Sequence, residues 1–179
     1  MSLPNQLLRG LRVTLVLWVL TVVVVTLPML AVARVLAPQA AQGSLLFRGE
    51  RVVGSRLIGQ AFSSPRYLHG RPAGEPNLAP SNPALVQRVA DAARYWELAG
   101  VAQPAPELLQ DSGSGVDPHI SLDAARQQFP RLARERQMSV ASLDQLLPEA
   151  QEGPLRLQAI EPVVNVLRFN LLLDQRSMS

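Results

Sequence analysis

The chain has 179 residues and no cysteine, so disulfides and thiolate metal sites are excluded. Its net charge is only +3, and its basic side is carried wholly by arginines scattered without runs, which argues against nucleic-acid binding. Setting aside an apolar N-terminal segment leaves about 140 residues, the size of one ordinary domain with a core of its own.

That segment runs from Val13 to Ala33 without a charge, VTLVLWVLTVVVVTLPMLAVA. As a helix it spans about 31 Å, the thickness of a hydrocarbon core. Its Val and Leu residues each favour insertion by about 0.3–0.6 kcal/mol near the bilayer centre, and its threonines can return their hydroxyls to the helix backbone. Pro28 removes one backbone donor, so a kink or a local end of the hydrogen-bond ladder is expected there. A cleaved signal peptide is the alternative, with Arg9 and Arg12 as its basic start and Ala31-Val32-Ala33 as its cleavage site. The length of the apolar run favours a retained anchor. Arg9, Arg12 and the terminal amine hold residues 1–12 in the cytoplasm as a short tail. The expected organisation is therefore a transmembrane helix at 13–33, a linker at 34–43, and one mixed α+β extracytoplasmic domain at 44–179.

Within that domain, LLFRGERVV at 45–53 places Gly49 between two short apolar runs and predicts a hairpin, continued by residues 54–60. Residues 63–83 are rich in proline and read as a loop, with one short strand at Tyr67-Leu68. Ser81-Asn82-Pro83 opens a helix whose Leu85, Val89, Ala92 and Trp96 share a face and whose stop is Gly100. After a Pro-rich connection at 104–106, SGSGVDPHIS at 112–121 is too rich in small and polar residues for a helix. Ser121 caps a helix over Asp123 to Gln128. Pro130 ends or restarts it, and a second short helix runs to about Arg136. Ser139 caps another to Leu147, and residues 163–173 fit a helix better than a strand. Phe47, Trp96 and Phe129 are expected in the core.

Tests for chemistry return little. The only histidines are His69 and His119, and neither belongs to a motif with metal-ligand spacing. Ser112 and Ser114 lack a glycine two residues before them, as a nucleophile elbow requires, and no lysine follows the glycines to make a phosphate loop. Asp117 and His119 flank Pro118 and could pair with each other.

Several segments, in order, resemble the KdpC subunits of the bacterial Kdp-type potassium-transporting ATPases. They are Gly54-Ser55 with Leu57-Ile58-Gly59-Gln60, Tyr67 with Gly70-Arg71-Pro72, Asn77 to Leu85 (NLAPSNPAL), Ser112 to Ser121 (SGSGVDPHIS), Arg131 to Arg136 (RLARER) and Val164 to Leu173 (VNVLRFNLLL). With the N-terminal helix they cover nearly the whole chain, and SGSG-x-DPHIS and N-x-x-PSNP are long and unusual. Two departures are a shortened stretch at Ala73-Gly74-Glu75-Pro76 and a helix end reading Arg136-Gln137 where a basic residue and glycine are usual.

The resemblance implies a non-catalytic accessory subunit of a high-affinity potassium importer, needed for assembly and described as raising the pump subunit's affinity for ATP. The implied partners are a channel-like potassium-binding subunit, a P-type ATP-hydrolysing subunit, a small fourth membrane subunit and the lipid bilayer of the inner membrane. No cofactor is implied for this chain itself; ATP, magnesium and potassium belong to the complex. An outside domain cannot touch ATP inside, so contact with the channel-like subunit and an indirect effect on ATP are expected. The candidate partner contacts are Asn77, Pro80, Ser81, Asn82, Ser112, Gly113, Ser114, Gly115, Asp117, His119, Ser121, Asn165 and Asn170. Two rival readings remain: a free-standing anchored binding domain, and an anchored hydrolase using Ser112 or Ser114 with His119 and Asp117. Asp-Pro-His within one loop rarely lets the carboxylate orient the histidine while a serine reaches it.

Overall fold

The computed structural model describes residues 3–74, 78–152 and 161–176. The chain divides into two units, Met1–Ser44 and Leu45–Ser179.

In the first unit, α1 (Leu3–Thr21), a π-helical turn (Val22–Thr26) and α2 (Leu27–Leu36) follow one another as a single 34-residue helical span. The residues before Val13 are thus helical from Leu3 onward, and the helix runs past Ala33 through Arg34. The wide turn has a local cause. Pro28 offers no N–H, and its ring would press on the carbonyl four residues back, at Val24. Widening relieves that contact, and the Leu27 N–H reaches the Val22 carbonyl instead. The expected break is therefore a π turn just before Pro28. The Thr21 hydroxyl donates to the Leu17 carbonyl at 2.8 Å, so this polar group is satisfied within the helix. None of the apolar side chains of these helices is buried, as suits a lipid-facing span. The short α3 (Pro38–Ala41) follows.

In the second unit, β1 (Leu45–Arg48) and β2 (Arg51–Ser55) form the expected hairpin, pairing Leu45 with Ser55 and Arg48 with Arg51 around a turn that starts at Gly49, φ +60°. A bulge falls between Leu46 and Phe47. Then come α4 (Pro83–Leu98), α5 (Pro106–Leu109), β3 (His119–Ser121), α6 (Leu122–Gln127), α7 (Phe129–Arg136), α8 (Val140–Asp144), α9 (Leu147–Ala150), β4 (Gln151–Glu152), β5 (Val163–Asn165) and α10 (Val166–Arg176). A three-stranded antiparallel sheet has the order β3-β5-β4. The chain is thus an α+β protein with a single N-terminal transmembrane helix.

Caps set the helix starts. Side-chain oxygens of Asn82, Ser121 and Ser139 accept from the amides of Ala84, Ala124 and Ser142. Several other expectations need correction. Residues 163–165 are a strand, not the start of a helix, because Asn165 is the residue that starts α10. His119–Ser121 is its partner strand. The helix after Ser139 stops at Asp144, and Pro148 sits in the first turn of the separate α9. Phe47 is 53% exposed, whereas Trp96 and Phe129 are buried as expected.

Tyr67-Leu68 is not a strand. The segment is irregular yet buried, so its backbone groups need partners from side chains. Asn170 supplies both for Leu68: its Oδ1 accepts from the Leu68 N–H at 2.8 Å and its Nδ2 donates to the Leu68 carbonyl at 2.9 Å. Gln128 does the same for His69, at 2.9 Å in each direction. Arg131 donates to the carbonyls of Pro65 and Tyr67 and, at 2.8 Å, to Gln128 Oε1. Arg136 donates to the Arg66 carbonyl at 2.7 Å and covers the Tyr67 ring at 4.7 Å. Asp174 gathers Arg48, Arg136 and the Tyr67 hydroxyl. Around this clamp lies the core, where Leu68, Ile120, Leu132, Val164 and Leu173 pack with Phe129 stacked on Phe169 at 5.8 Å.

His69 belongs to the same region. Its Nε2 faces the Ser64 carbonyl at 3.0 Å and its Nδ1 the Tyr95 hydroxyl at 3.1 Å. Burial pushes its pKa below the ordinary 6.5; the Ser64 carbonyl opposes that shift and the Arg131 charge adds to it.

Three outcomes follow for the full chain in detergent, read by thermal or urea unfolding. Asn170→Leu leaves the Leu68 N–H and carbonyl without partners, and should cost about 2–6 kcal/mol at roughly 1–3 kcal/mol per group. Gln137 closes α7 in the left-handed region, φ +55°, where glycine is favoured. Gln137→Gly should therefore stabilise by about 1 kcal/mol. Because folded His69 binds a proton less readily than unfolded His69, stability is full above the unfolded value of 6.5 and falls as pH drops from there toward the lowered folded value. His69→Gln should flatten that slope.

Candidate functional site

The Ser112–Ser121 loop is built by its own side chains. Ser112 Oγ accepts from the Asp117 amide at 3.2 Å, and the Ser112 carbonyl accepts from the Gly115 amide at 3.0 Å. Gly115 has φ +72°, a conformation that only glycine adopts at low cost, so it closes this turn. Ser114 Oγ accepts from the Val116 amide at 3.3 Å and lies 3.3 Å from Ser112 Oγ. Asp117 Oδ1 accepts from the His119 amide at 3.0 Å and stands 3.1 Å from His119 Nδ1. The other ring nitrogen, Nε2, is 3.0 Å from Glu152 Oε2 at the end of β4, and Arg56 lies 3.6 Å beyond on the same carboxylate. Asp117 and His119 thus pair as the sequence suggests, with Glu152 as an additional partner. Both serine oxygens serve loop amides, and both imidazole nitrogens face carboxylates.

The loop is tied down at both ends and in the middle. Ile120 is buried and β3 pairs with β5. Ser121 caps α6 through its hydroxyl, and its amide donates to Glu107 at 3.0 Å. Burial works against the charge of Glu107, but the Ser121 hydroxyl, the amides at Glu107 and Ser121, and Arg71 outweigh it, so its pKa lies below the ordinary carboxylate value. The Val166 amide donates to the Pro118 carbonyl at 3.0 Å. In the middle, the Gly59 amide donates to the Val116 carbonyl at 2.8 Å. A Cβ at Gly59 would lie 2.7 Å from the Asp117 carbonyl oxygen, so only glycine admits this approach. What remains on the surface is Gly113, Ser114 and Val116; Ser112 is buried beneath them.

The structure brings three of the recognisable segments together here: 57–60, 112–121 and the start of the last one. Asn165 completes the junction. It is fully buried; its Nδ2 donates to the Arg56 carbonyl at 2.8 Å and its Oδ1 accepts from the Arg168 amide at 3.1 Å, capping α10. Asn165 and Asn170, read from the sequence among the partner contacts, both have their amides engaged inside the domain. Pro80 and Ser81 are exposed and Asn82 caps α4, so this group stands on a different element; Asn77 lies outside the described residues. The roles of Gly59 and Glu152 were not foreseen. Gly59 carried a signal, a glycine within the recognisable 57–60 segment. Glu152 carried none, since it is 33 residues from His119 with no intervening pattern.

Known proteins resemble this chain over nearly its whole length. The family model described as KdpC, K+-transporting ATPase, c chain, matches residues 7–175. The chain is 40% identical to the potassium-transporting ATPase KdpC subunit of Anabaena sp. (strain L31), covering 97% of this chain and 95% of that one. It is 42% identical to the KdpC subunit of Pectobacterium atrosepticum, covering 94% and 97%. For the KdpC subunit of Synechocystis sp. the figures are 40%, 93% and 96%. The family match spans the transmembrane helix, the hairpin, the glycine-built loop and nearly all of α10, and the chain therefore belongs to the KdpC family, the c chain of K+-transporting ATPases.

Proposed function

We propose that the chain serves its potassium-transporting ATPase as a non-catalytic assembly subunit that docks on the channel-like potassium-binding subunit through the 112–121 loop. The observation that carries this reading is the loop itself. Its conformation is fixed by its own amides, and its most exposed residues are Gly113, Ser114 and Val116, so a partner can approach the backbone closely and little entropy is lost on docking. The engaged serines and the carboxylate-flanked His119 support a structural role for these residues over nucleophilic catalysis. In this reading ATP and magnesium belong to the P-type subunit, potassium to the channel-like one, and a small fourth membrane protein completes the complex. The basic start of the helix supports a cytoplasmic N-terminus in the inner membrane, with the second unit outside. Any rise in ATP affinity is then indirect, passed through the channel-like subunit.

Gly113 gives a clean test. A Cβ there meets no atom within 4 Å and its backbone is not left-handed, so Gly113→Arg leaves the domain intact while it blocks close approach. The variant should unfold at the wild-type temperature yet copurify with the channel-like subunit at least about tenfold less well, the effect of ~1.4 kcal/mol. Normal assembly and potassium uptake by this variant would remove the loop from the interface. A wild-type chain that purifies alone from mild detergent would point to a free-standing binding domain.

Orientation and chemistry are tested separately. A periplasm-active reporter fused after Ser179 should be active, and the mature protein should keep its N-terminus. A chain recovered from near Arg34 or Val35 would mean that the apolar segment is a cleaved signal. Ser112→Ala and Ser114→Ala should leave no hydrolytic activity to lose; a hydrolase activity abolished by either change would defeat the non-catalytic reading.

A further inference from the structure

Single exposed apolar residues are ordinary on a folded domain, but a group of them beside a membrane anchor is not. On the second unit such residues gather where the chain enters it. Leu45, the first residue of β1, is 40% exposed and pairs with Ser55. Phe47 faces Val52 across the hairpin, and both are exposed. Just beyond β2 stand Leu57 and Ile58, also exposed. Arginines are interleaved with them: Arg51 at the hairpin turn and Arg56 at its base, both exposed, Arg56 with its Nε also 3.6 Å from Glu152. Arg48, by contrast, is turned toward Asp174.

The length of the connection adds a second constraint. α2 ends at Leu36 and β1 begins at Leu45, with Pro38–Ala41 helical between them. Such a connection reaches at most about 25 Å. The hairpin base therefore cannot leave the vicinity of the bilayer from which α2 emerges, so the lipid surface is a partner that covalent structure keeps within reach.

We propose that the β1–β2 hairpin and the Leu57-Ile58 turn rest on the bilayer surface, with Phe47, Val52 and Leu57 among the upper acyl chains and Arg51 and Arg56 among anionic phospholipid headgroups. An aromatic and aliphatic cluster flanked by guanidinium groups fits the interfacial zone, where apolar bodies enter the hydrocarbon edge and long basic side chains reach back to phosphate. A protein partner would also take the apolar residues, but the arginines and the short connection favour lipid. The inference rests on the transmembrane helix and not on which side of the membrane the domain occupies.

The absence of cysteine makes the test direct. Phe47→Cys, Leu57→Cys and Leu98→Cys would each carry a nitroxide on the full chain, reconstituted in vesicles of phosphatidylcholine with phosphatidylglycerol or of phosphatidylcholine alone. Collisions with oxygen, which concentrates in lipid, are compared with those of a water-soluble nickel chelate. Oxygen should prevail at 47 and 57 and nickel at 98, on the far end of α4. Adding Arg51→Glu, or omitting phosphatidylglycerol, should lower the lipid-contacting population by about fivefold or more, the effect of one arginine at an anionic surface. Val52→Cys repeats the reading from the second strand if the change at Phe47 impairs folding. Nickel access at 47, 52 and 57 equal to that at 98 would overturn the proposal. So would labels shielded from both reagents only once the complete ATPase is reconstituted, which would assign this face to a neighbouring subunit.

Discussion

The domain depends on side-chain amides standing in for a missing strand. Between Ser64 and Arg71 the chain is irregular and dips into the interior at Leu68 and His69, where an unpaired backbone group costs about 1–3 kcal/mol. Asn170 and Gln128 each present an acceptor and a donor to one residue, Leu68 and His69, as a neighbouring strand would. Arg131 adds donors to carbonyls on the same stretch and locks Gln128 in place. These residues come from α7, the segment before it and α10, so the clamp fixes the distance between two helices as well as the loop. The core pair Phe129 and Phe169, one on each of those helices, can stack only because that distance is set.

The same logic operates at the 112–121 loop with glycine in place of amides. Gly59 lets one irregular segment approach another until an amide and a carbonyl meet, and Asn165 bonds the adjacent Arg56 carbonyl while starting α10. Irregular backbone is usually the mobile part of a domain. Here it is held by polar groups of low entropy cost, and the strands are short: none exceeds five residues among the described ones.

What the sequence disclosed follows from this. Ser-Asn-Pro before α4, Ser121 before α6 and Ser139 before α8 were legible because a cap acts within three residues of itself. The hairpin was legible because Gly49 marks its turn. Trp96 on the periodic face of α4 was legible as core. The β3-β5-β4 sheet was not, since strands of two or three residues carry no periodicity, and β3 pairs with β5 across a gap of more than forty positions. Asn170 fell on the correct helix, but its partner Leu68 is 102 residues away, and a polar residue on an apolar face looks the same in sequence whether it meets a partner protein or its own backbone. Phe47 misled for a related reason: alternation in a hairpin shows which residues share a face, and says nothing of whether that face is covered.

The family assignment gives these features a common purpose. A subunit that must join a permanent membrane assembly gains little from flexible loops, because ordering them on contact would subtract from affinity. This chain orders the segments at 64–71 and 112–121 within the domain before any partner arrives. The Gly59–Val116 hydrogen bond then has a wider consequence. It joins the segment next to the hairpin to the exposed loop proposed to meet the channel-like subunit. With that bond and the Asn165 bridge in place, the hairpin end and the loop move as one block. A domain seated by either surface is thereby positioned at the other.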